Sequence, residues 1–192
     1  MKSAGGLGRA GITLVVVYAA LILAFTVIGM AVAPPDAQVG AARPANDIPV
    51  HLSELLAFGL LLGAMSAVIG GIRGLPLVIL APMLVVLLDL DHLPAYIGLA
   101  QPIRPAHSFV FIAVAVVCTA IVLRRLDLEL ALLSAFTGHL AVDEGLFAPF
   151  SPLSYGYVLL DQYRLPLIAC SLAAALLSGY FLRRGNRGGP SR

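Results

Sequence analysis

The chain has 192 residues, of which 60% are hydrophobic and 11% are charged. Soluble domains carry charge on roughly a quarter of their residues, so this composition excludes an ordinary soluble protein and indicates an integral membrane protein. The net charge of +2 includes no run of basic residues with interleaved aromatics, which argues against nucleic acid as a partner. We expect a single helical membrane bundle rather than several folded domains.

The first apolar run, from Ile12 to Ala33, follows two basic residues and ends before Pro34-Pro35. This pattern is similar to a cleaved signal peptide, but an apolar stretch of about 20 residues exceeds the ~7–15 of a signal sequence and can cross a bilayer. We therefore predict an uncleaved transmembrane anchor over residues 1–34. An exposed extracytoplasmic connection over residues 35–50, rich in Pro and Ala, follows it.

Residues 51–183 form the predicted membrane core. Prolines and a glycine mark residues 93–106 as a loop. Residues 147–164 hold five of the 14 aromatic residues (8 Phe and 6 Tyr), which is typical of an interfacial or re-entrant element at headgroup depth. We predict an all-α polytopic bundle of about six transmembrane helices, followed by a disordered tail at residues 184–192. The apolar segments are 12–33, 52–72, 75–92, 108–123, 128–146 and 165–182.

Basic residues indicate how such a bundle is oriented. With the N-terminus inside, the cytoplasmic segments hold nine of the 12 basic residues and the opposite side holds three. This bias favours a multi-pass protein of the cell (inner) membrane with both termini in the cytoplasm.

All four histidines lie at or near the ends of apolar segments. The third segment ends in Asp-Leu-Asp-His, and carboxylates at the rim of a membrane span are costly unless they have partners. On the predicted topology these groups share the extracytoplasmic face, which is the main indication of a common metal site. The candidate ligands are His51, Asp89, Asp91, His92, His107, His139 and Asp143.

Spacing within two segments favours paired ligands. His139 and Asp143 are four residues apart, so in a helix they project from one face with Cβ atoms about 5–6 Å apart, as i, i+4 metal ligands do. Asp89 and His92, three residues apart, form a second pair if the helix continues that far. Asp91 would then point elsewhere, either to orient a ligand or to bind a second ion.

Imidazole and carboxylate ligands together suit Zn²⁺, with Mn²⁺ or Fe²⁺ as alternatives. The candidates outnumber the ligands of one tetrahedral ion, so both one and two divalent ions remain open. The structural alternative is that these groups form hydrogen-bonded interhelical pairs that fix packing. We favour metal binding because ionisable residues within a membrane usually mark a functional site.

Three further residues are candidates for catalysis. Arg104, near His107, could stabilise an anionic phosphoester or an oxyanion. Ser108 either serves the same site or caps the following helix. Glu54, one turn after His51, either accepts a proton from metal-bound water or holds His51 in one tautomer.

Four short blocks, taken in order, give the chain a resemblance to the YdjM-like family of membrane-bound metal-dependent hydrolases. The blocks are a histidine opening an apolar helix (His51), D-L-D-H (89–92), R-x-x-H-S (104–108) and G-H-L-x-x-D (138–143). Residues 145–150 are similar to the family's segment after its last aspartate. The resemblance covers about residues 48–182 and implies a membrane metal site more firmly than a reaction.

The chain departs from that family at three points. Its first span is an addition to the family's core, Ala106 stands where the family has Thr, and Leu88 stands where it has Pro. These changes leave the candidate ligands in place and make the substrate uncertain.

We therefore predict a metal-dependent hydrolase that cleaves a lipid or lipid-linked ester or phosphoester with metal-activated water at the extracytoplasmic face. The lipid substrate follows from location alone. A divalent-metal transporter is one alternative, although it would place ionisable groups at several depths along a route. A non-catalytic membrane subunit with a structural metal site is another. Nothing in the sequence indicates the oligomeric state.

Overall fold

The computed structural model describes residues 4–32, 48–96, 104–143, 146–151, 153 and 158–185. Within these ranges the expected helical architecture is confirmed. Most of the predicted connection at 35–50 and the tail beyond Gly185 lie outside the described residues. The helices are α1 (Ala4–Val32), α2 (Ile48–Gly70), α3 (Leu75–Leu87), α4 (Leu93–Tyr96), α5 (Phe109–Leu123), α6 (Leu126–Val142) and α7 (Arg164–Arg184).

Among the described residues, four helical stretches are long and apolar enough to cross a membrane. The fourth and fifth predicted spans are shorter, because α5 has 15 residues and α6 has 17, against the roughly 20 that a bilayer requires. The arrangement of six spans thus remains a prediction. The four stretches are Gly8–Val32, Ile48–Arg73, Leu75–His92 and Leu160–Arg184.

One segment shows a feature that was not predicted, and one local prediction needs correction. The aromatic segment contains two short antiparallel strands, β1 (Leu146–Phe147) and β2 (Val158–Leu159), so the described chain is not purely helical. Two residues are too few for any alternation of apolar and polar side chains, which is the sequence signal of a strand. The predicted loop at residues 93–106 begins with the single helical turn α4, because Pro94 fits the first turn of a helix.

Glycines allow α2 and α3 to pack closely in antiparallel directions. A Cβ atom at Gly59 would overlap Pro82, and a Cβ at Gly63 would lie 2.5 Å from the Leu77 carbonyl oxygen. Pro82 lies inside α3 and Pro76 in its first turn. Small residues at both α2 positions therefore fix the distance between the helices, as in other membrane bundles.

Serines connect α6 to α7. Ser134 and Ser171 each donate a hydrogen bond of 2.8 Å to the other's carbonyl oxygen, and Ser178 donates to the Asp127 carbonyl oxygen at 2.7 Å. Ser66 of α2 donates to the Ala175 carbonyl oxygen of α7 at 2.8 Å. Such interhelical hydrogen bonds hold helices together where lipid supplies no hydrophobic driving force.

The first helix packs against the rest of the bundle. It contacts α3, α5 and the two short turns at residues 88–92 and 105–107. The rings of Tyr18 and Phe25 lie 5.7 and 5.1 Å from the ring of Phe111. The segment predicted as an anchor therefore covers the end of the bundle at which the candidate ligands lie.

The close contact of α2 with α3 can be tested by Gly63→Ala. The added methyl group would meet backbone atoms of Leu77 and Val78, which cannot rotate away, so we expect a loss of about 1–3 kcal/mol in unfolding free energy. The measurement is denaturant unfolding in detergent micelles.

The matched control is Gly8→Ala, because no atom lies within 4 Å of a Cβ atom built at Gly8. This variant should unfold like the unsubstituted protein or be slightly more stable. Equal stability of the two variants would contradict the packing argument.

Candidate metal centre

The candidate ligands meet because each lies where a helix begins or ends. His51 is in the first turn of α2, and Asp143 follows the last residue of α6. The 3₁₀ turn Leu88–His92 continues α3, and the turn Pro105–His107 precedes α5. Since α2 runs antiparallel to α3, these termini share one end of the bundle.

The 3₁₀ turn determines which way its acidic residues face. With three residues per turn, positions i and i+3 are aligned, so Asp89 and His92 share a side, and Asp89 Oδ1 lies 3.6 Å from His92 Nδ1. Asp91 lies between two imidazole rings, with its Oδ2 2.8 Å from His107 Nδ1 and its Oδ1 3.5 Å from His92 Nε2. The contact with His107 is the one expected of an orienting residue, which is one of the two roles predicted for Asp91.

His107 is held in one orientation from two directions. Its Nδ1 lies 2.8 Å from Asp91 Oδ2, and it donates this hydrogen bond when the carboxylate is ionised. Ser108 fixes the following backbone as N-cap of α5, accepting the Phe111 N–H at 3.1 Å and donating to the Pro105 carbonyl oxygen at 2.8 Å. Burial lowers the pKa of the His107 imidazole well below its ordinary value, and the Arg104 guanidinium acts in the same direction.

His139 is oriented by a main-chain carbonyl group. Its Nδ1 lies 2.7 Å from the carbonyl oxygen of Val85. Val85 is in the last turn of α3, where carbonyl groups lack α-helical partners. Because a carbonyl oxygen only accepts, Nδ1 of His139 carries the proton.

The remaining nitrogens of these two rings face each other. His107 Nε2 lies 3.0 Å from His139 Nε2. If both neutral rings carry their proton on Nδ1, the two Nε2 atoms present lone pairs to one another, which is repulsive. Three arrangements relieve this repulsion: a second proton on one ring, a protonated Asp91 that leaves the His107 proton on Nε2, or a metal ion bound to both nitrogens.

Other donor atoms lie near these nitrogens, one at the separation expected between two ligands of a tetrahedral ion and two slightly beyond it. Ligands of a tetrahedral ion with bonds of 2.0–2.2 Å are separated by about 3.3–3.6 Å. Asp89 Oδ1 lies 3.6 Å from His139 Nε2, and Asp89 Oδ2 lies 3.8 Å from His51 Nε2. Asp143 Oδ2 lies 3.8 Å from His107 Nε2.

Three overlapping groups of these side chains could each hold a metal ion, with their ligand atoms within 4.8 Å of one another. Asp89, His107 and His139 each belong to two of the groups, so the groups form a single cluster. All seven sequence-predicted ligands lie in or beside it, with Asp91 acting on His107. The groups are His51–Asp89–His139, Asp89–His92–His107 and His107–His139–Asp143.

Arg104 lies at the edge of the cluster. Its Nη1 donates to Asp143 Oδ2 at 2.7 Å and lies 3.3 Å from His92 Nε2. A guanidinium group has five N–H donors in all. Arg104 therefore balances the charge of Asp143 and brings a positive charge next to the ligands.

Glu54 lies apart from the other candidates. Its side chain is exposed on α2, and it belongs to none of the ligand groups found among the described residues. Two roles were predicted for Glu54, accepting a proton from metal-bound water and holding His51 in one tautomer. No contact in the described structure supports either role. Ser108, by contrast, occupies the helix-capping position that was its structural alternative.

Tyr18 is a buried polar residue of α1 that the sequence did not single out. Its side chain is fully buried, and its ring lies 5.7 Å from that of Phe111. Within the described part of the chain this hydroxyl has no hydrogen-bond partner. The sequence feature that could have identified Tyr18 is its position in the middle of an apolar span, away from the membrane interfaces where tyrosines usually gather.

Comparisons with models of protein families, with curated proteins and with solved structures found no match to this chain.

Substitutions at two aspartates test the assignment of ligand and orienting residue. Asp91→Asn should weaken Zn²⁺ binding about 10–100-fold, because the amide no longer supports His107 with a negative charge. Asp89→Asn should weaken it further, since this residue contributes to two ligand groups. Binding would be measured by competition with a chromophoric chelator in detergent.

The control is Asp161→Asn, because Asp161 is exposed and pairs with Arg164 outside the cluster. Its Zn²⁺ affinity should equal that of the unsubstituted protein. If Asp91→Asn bound Zn²⁺ as tightly as this control, the orienting role of Asp91 would be wrong.

Proposed function

We propose that the protein is a metal-dependent hydrolase of the inner membrane that acts on a lipid or lipid-linked ester or phosphoester at the extracytoplasmic face. The observation that carries this proposal is the pair of facing Nε2 atoms in His107 and His139, surrounded by carboxylates. The proposal includes membership of the YdjM-like family, which rests on the sequence blocks alone.

The residues divide into holding and orienting roles. His51, His107, His139 and Asp89 would hold Zn²⁺, or Mn²⁺ or Fe²⁺, with His92 and Asp143 available to a second ion. Such an ion lowers the pKa of water and polarises the bond under attack. Asp91 and the Val85 carbonyl group keep the imidazole rings turned with Nε2 inwards.

Arg104 would bind the negative charge of the substrate or of the transition state. Its side chain is 18% exposed, so it is reachable from outside the cluster. Guanidinium groups suit phosphate and carboxylate oxygens because they offer several N–H donors in one plane. This preference favours an anionic ester over a neutral one.

A transporter is less well supported by the distribution of polar groups. Arg125 and Asp127 pair at the opposite end of α6. Between the two ends, the buried polar side chains of the described chain are serines, threonines and Tyr18. A route for ions through the bilayer would require ionisable groups at intermediate depths.

Turnover and transport can be separated in one reconstituted system. Protein loaded with Zn²⁺ should release headgroups or acyl chains from phospholipid and lipid phosphate vesicles, and a chelator should abolish the release. His139→Ala should reduce turnover by more than the roughly 10–100-fold typical of an outer-shell substitution. Asp161→Asn should leave it unchanged.

Two other results would overturn the proposal. Zn²⁺ flux into protein-containing vesicles, without ester cleavage, would indicate a transporter. Tightly bound Zn²⁺ with neither flux nor cleavage, together with unfolding on metal removal, would indicate a structural metal site.

A further inference from the structure

A groove of about 650 Å³ lies between α2 and α3. This volume is within the range of ligand-binding pockets, ~300–1,000 Å³. All of its lining residues are apolar except one, which is Asp89. The lining includes Leu56, Leu60, Ile79, Met83, Val86 and Asp89.

Asp89 connects the groove to the metal centre. Its Oδ1 lies 3.6 Å from His139 Nε2, and its side chain is 20% exposed, whereas those of His107 and His139 are fully buried. Arg104 and His92 are the next most open members of the cluster, at 18% and 14%. Asp89 is the member of the cluster that lines the groove, and it is also the most exposed of these side chains.

The groove is also open on the outer surface of the helical bundle. Leu60, Ile79 and Met83 in its wall are exposed, and on a membrane-spanning helix such side chains contact lipid tails. From Val78 to Asp89 the wall is about 16 Å long at 1.5 Å per helical residue. This length is close to half of the ~30 Å hydrocarbon core, which is the depth of one leaflet.

We infer that the groove binds one aliphatic chain of a membrane lipid, with its anionic headgroup towards Arg104, which lies across His92 from the Asp89 end of the groove. The apolar walls suit a hydrocarbon chain, and the positive charge of Arg104 at the edge of the cluster suits a phosphate. The position of the headgroup rests on the proposed function, whereas the binding of the chain does not. The lipid would enter sideways from the bilayer.

The chain contains no tryptophan, so a single introduced tryptophan can report on the groove. Ile79→Trp places it in the groove wall, and Ile121→Trp places it on α5, away from the groove, at nearly the same exposure (69% and 68%). The probe is a long-chain alkyl phosphate brominated in mid-chain, added as a small minority to phosphatidylcholine vesicles. Bromine quenches tryptophan fluorescence only on close contact.

We expect several-fold stronger quenching at position 79 than at position 121, because a retained chain stays near the groove while bulk lipid contacts both positions equally. Arg104→Gln, combined with Ile79→Trp, should reduce this excess. Equal quenching at the two positions would overturn the inference. Loss of quenching at position 79, with crosslinking between two copies of the chain, would instead show that a second copy covers the groove.

A brominated long-chain alcohol tests the headgroup separately. It should give a smaller excess than the alkyl phosphate, and an equal excess would contradict the placement of the phosphate beside Arg104. None of these measurements requires turnover. Stronger quenching at position 79 without cleavage of any ester would refute the hydrolase and support the lipid site. Ester cleavage with equal quenching at the two positions would support the hydrolase and refute the lipid site.

Discussion

The candidate site depends on one electrostatic constraint. The Nε2 atoms of two buried imidazole rings, those of His107 and His139, face each other. Each ring has its Nδ1 atom engaged, by a carboxylate in one case and by the Val85 carbonyl oxygen in the other. At 3.0 Å, two unprotonated Nε2 atoms repel each other unless a proton or a metal ion lies between them. The surrounding carboxylates would stabilise either one, and a metal ion is the occupant that we propose.

The rest of the fold can be understood as a means of keeping these rings in place. Glycines at positions 59 and 63 bring α2 against α3, and reciprocal serine bonds hold α6 against α7. These contacts bring the helix termini that carry the ligands to one end of the bundle. The first helix covers that end, and Asp89 connects the cluster to the groove between α2 and α3.

Much of this could be predicted from the sequence, because apolar segments and their ends are visible in it. The cluster of candidate ligands could be anticipated from histidines and aspartates at those ends. The role of Asp91 depended on whether α3 continued as an α-helix or tightened into a 3₁₀ turn, which spacing alone does not determine. The Val85 carbonyl group is part of the backbone and has no side-chain signal. Tyr18 was missed because its place depends on how α1 packs.

The most direct test of the central claim is anomalous diffraction at the zinc absorption edge from crystals grown with Zn²⁺. We expect a peak at about 2.0–2.1 Å from Nε2 of both His107 and His139, with Asp89 as a further ligand. A peak elsewhere, or no peak while the two rings remain in contact, would mean that a proton holds them together. The metal centre would then be refuted.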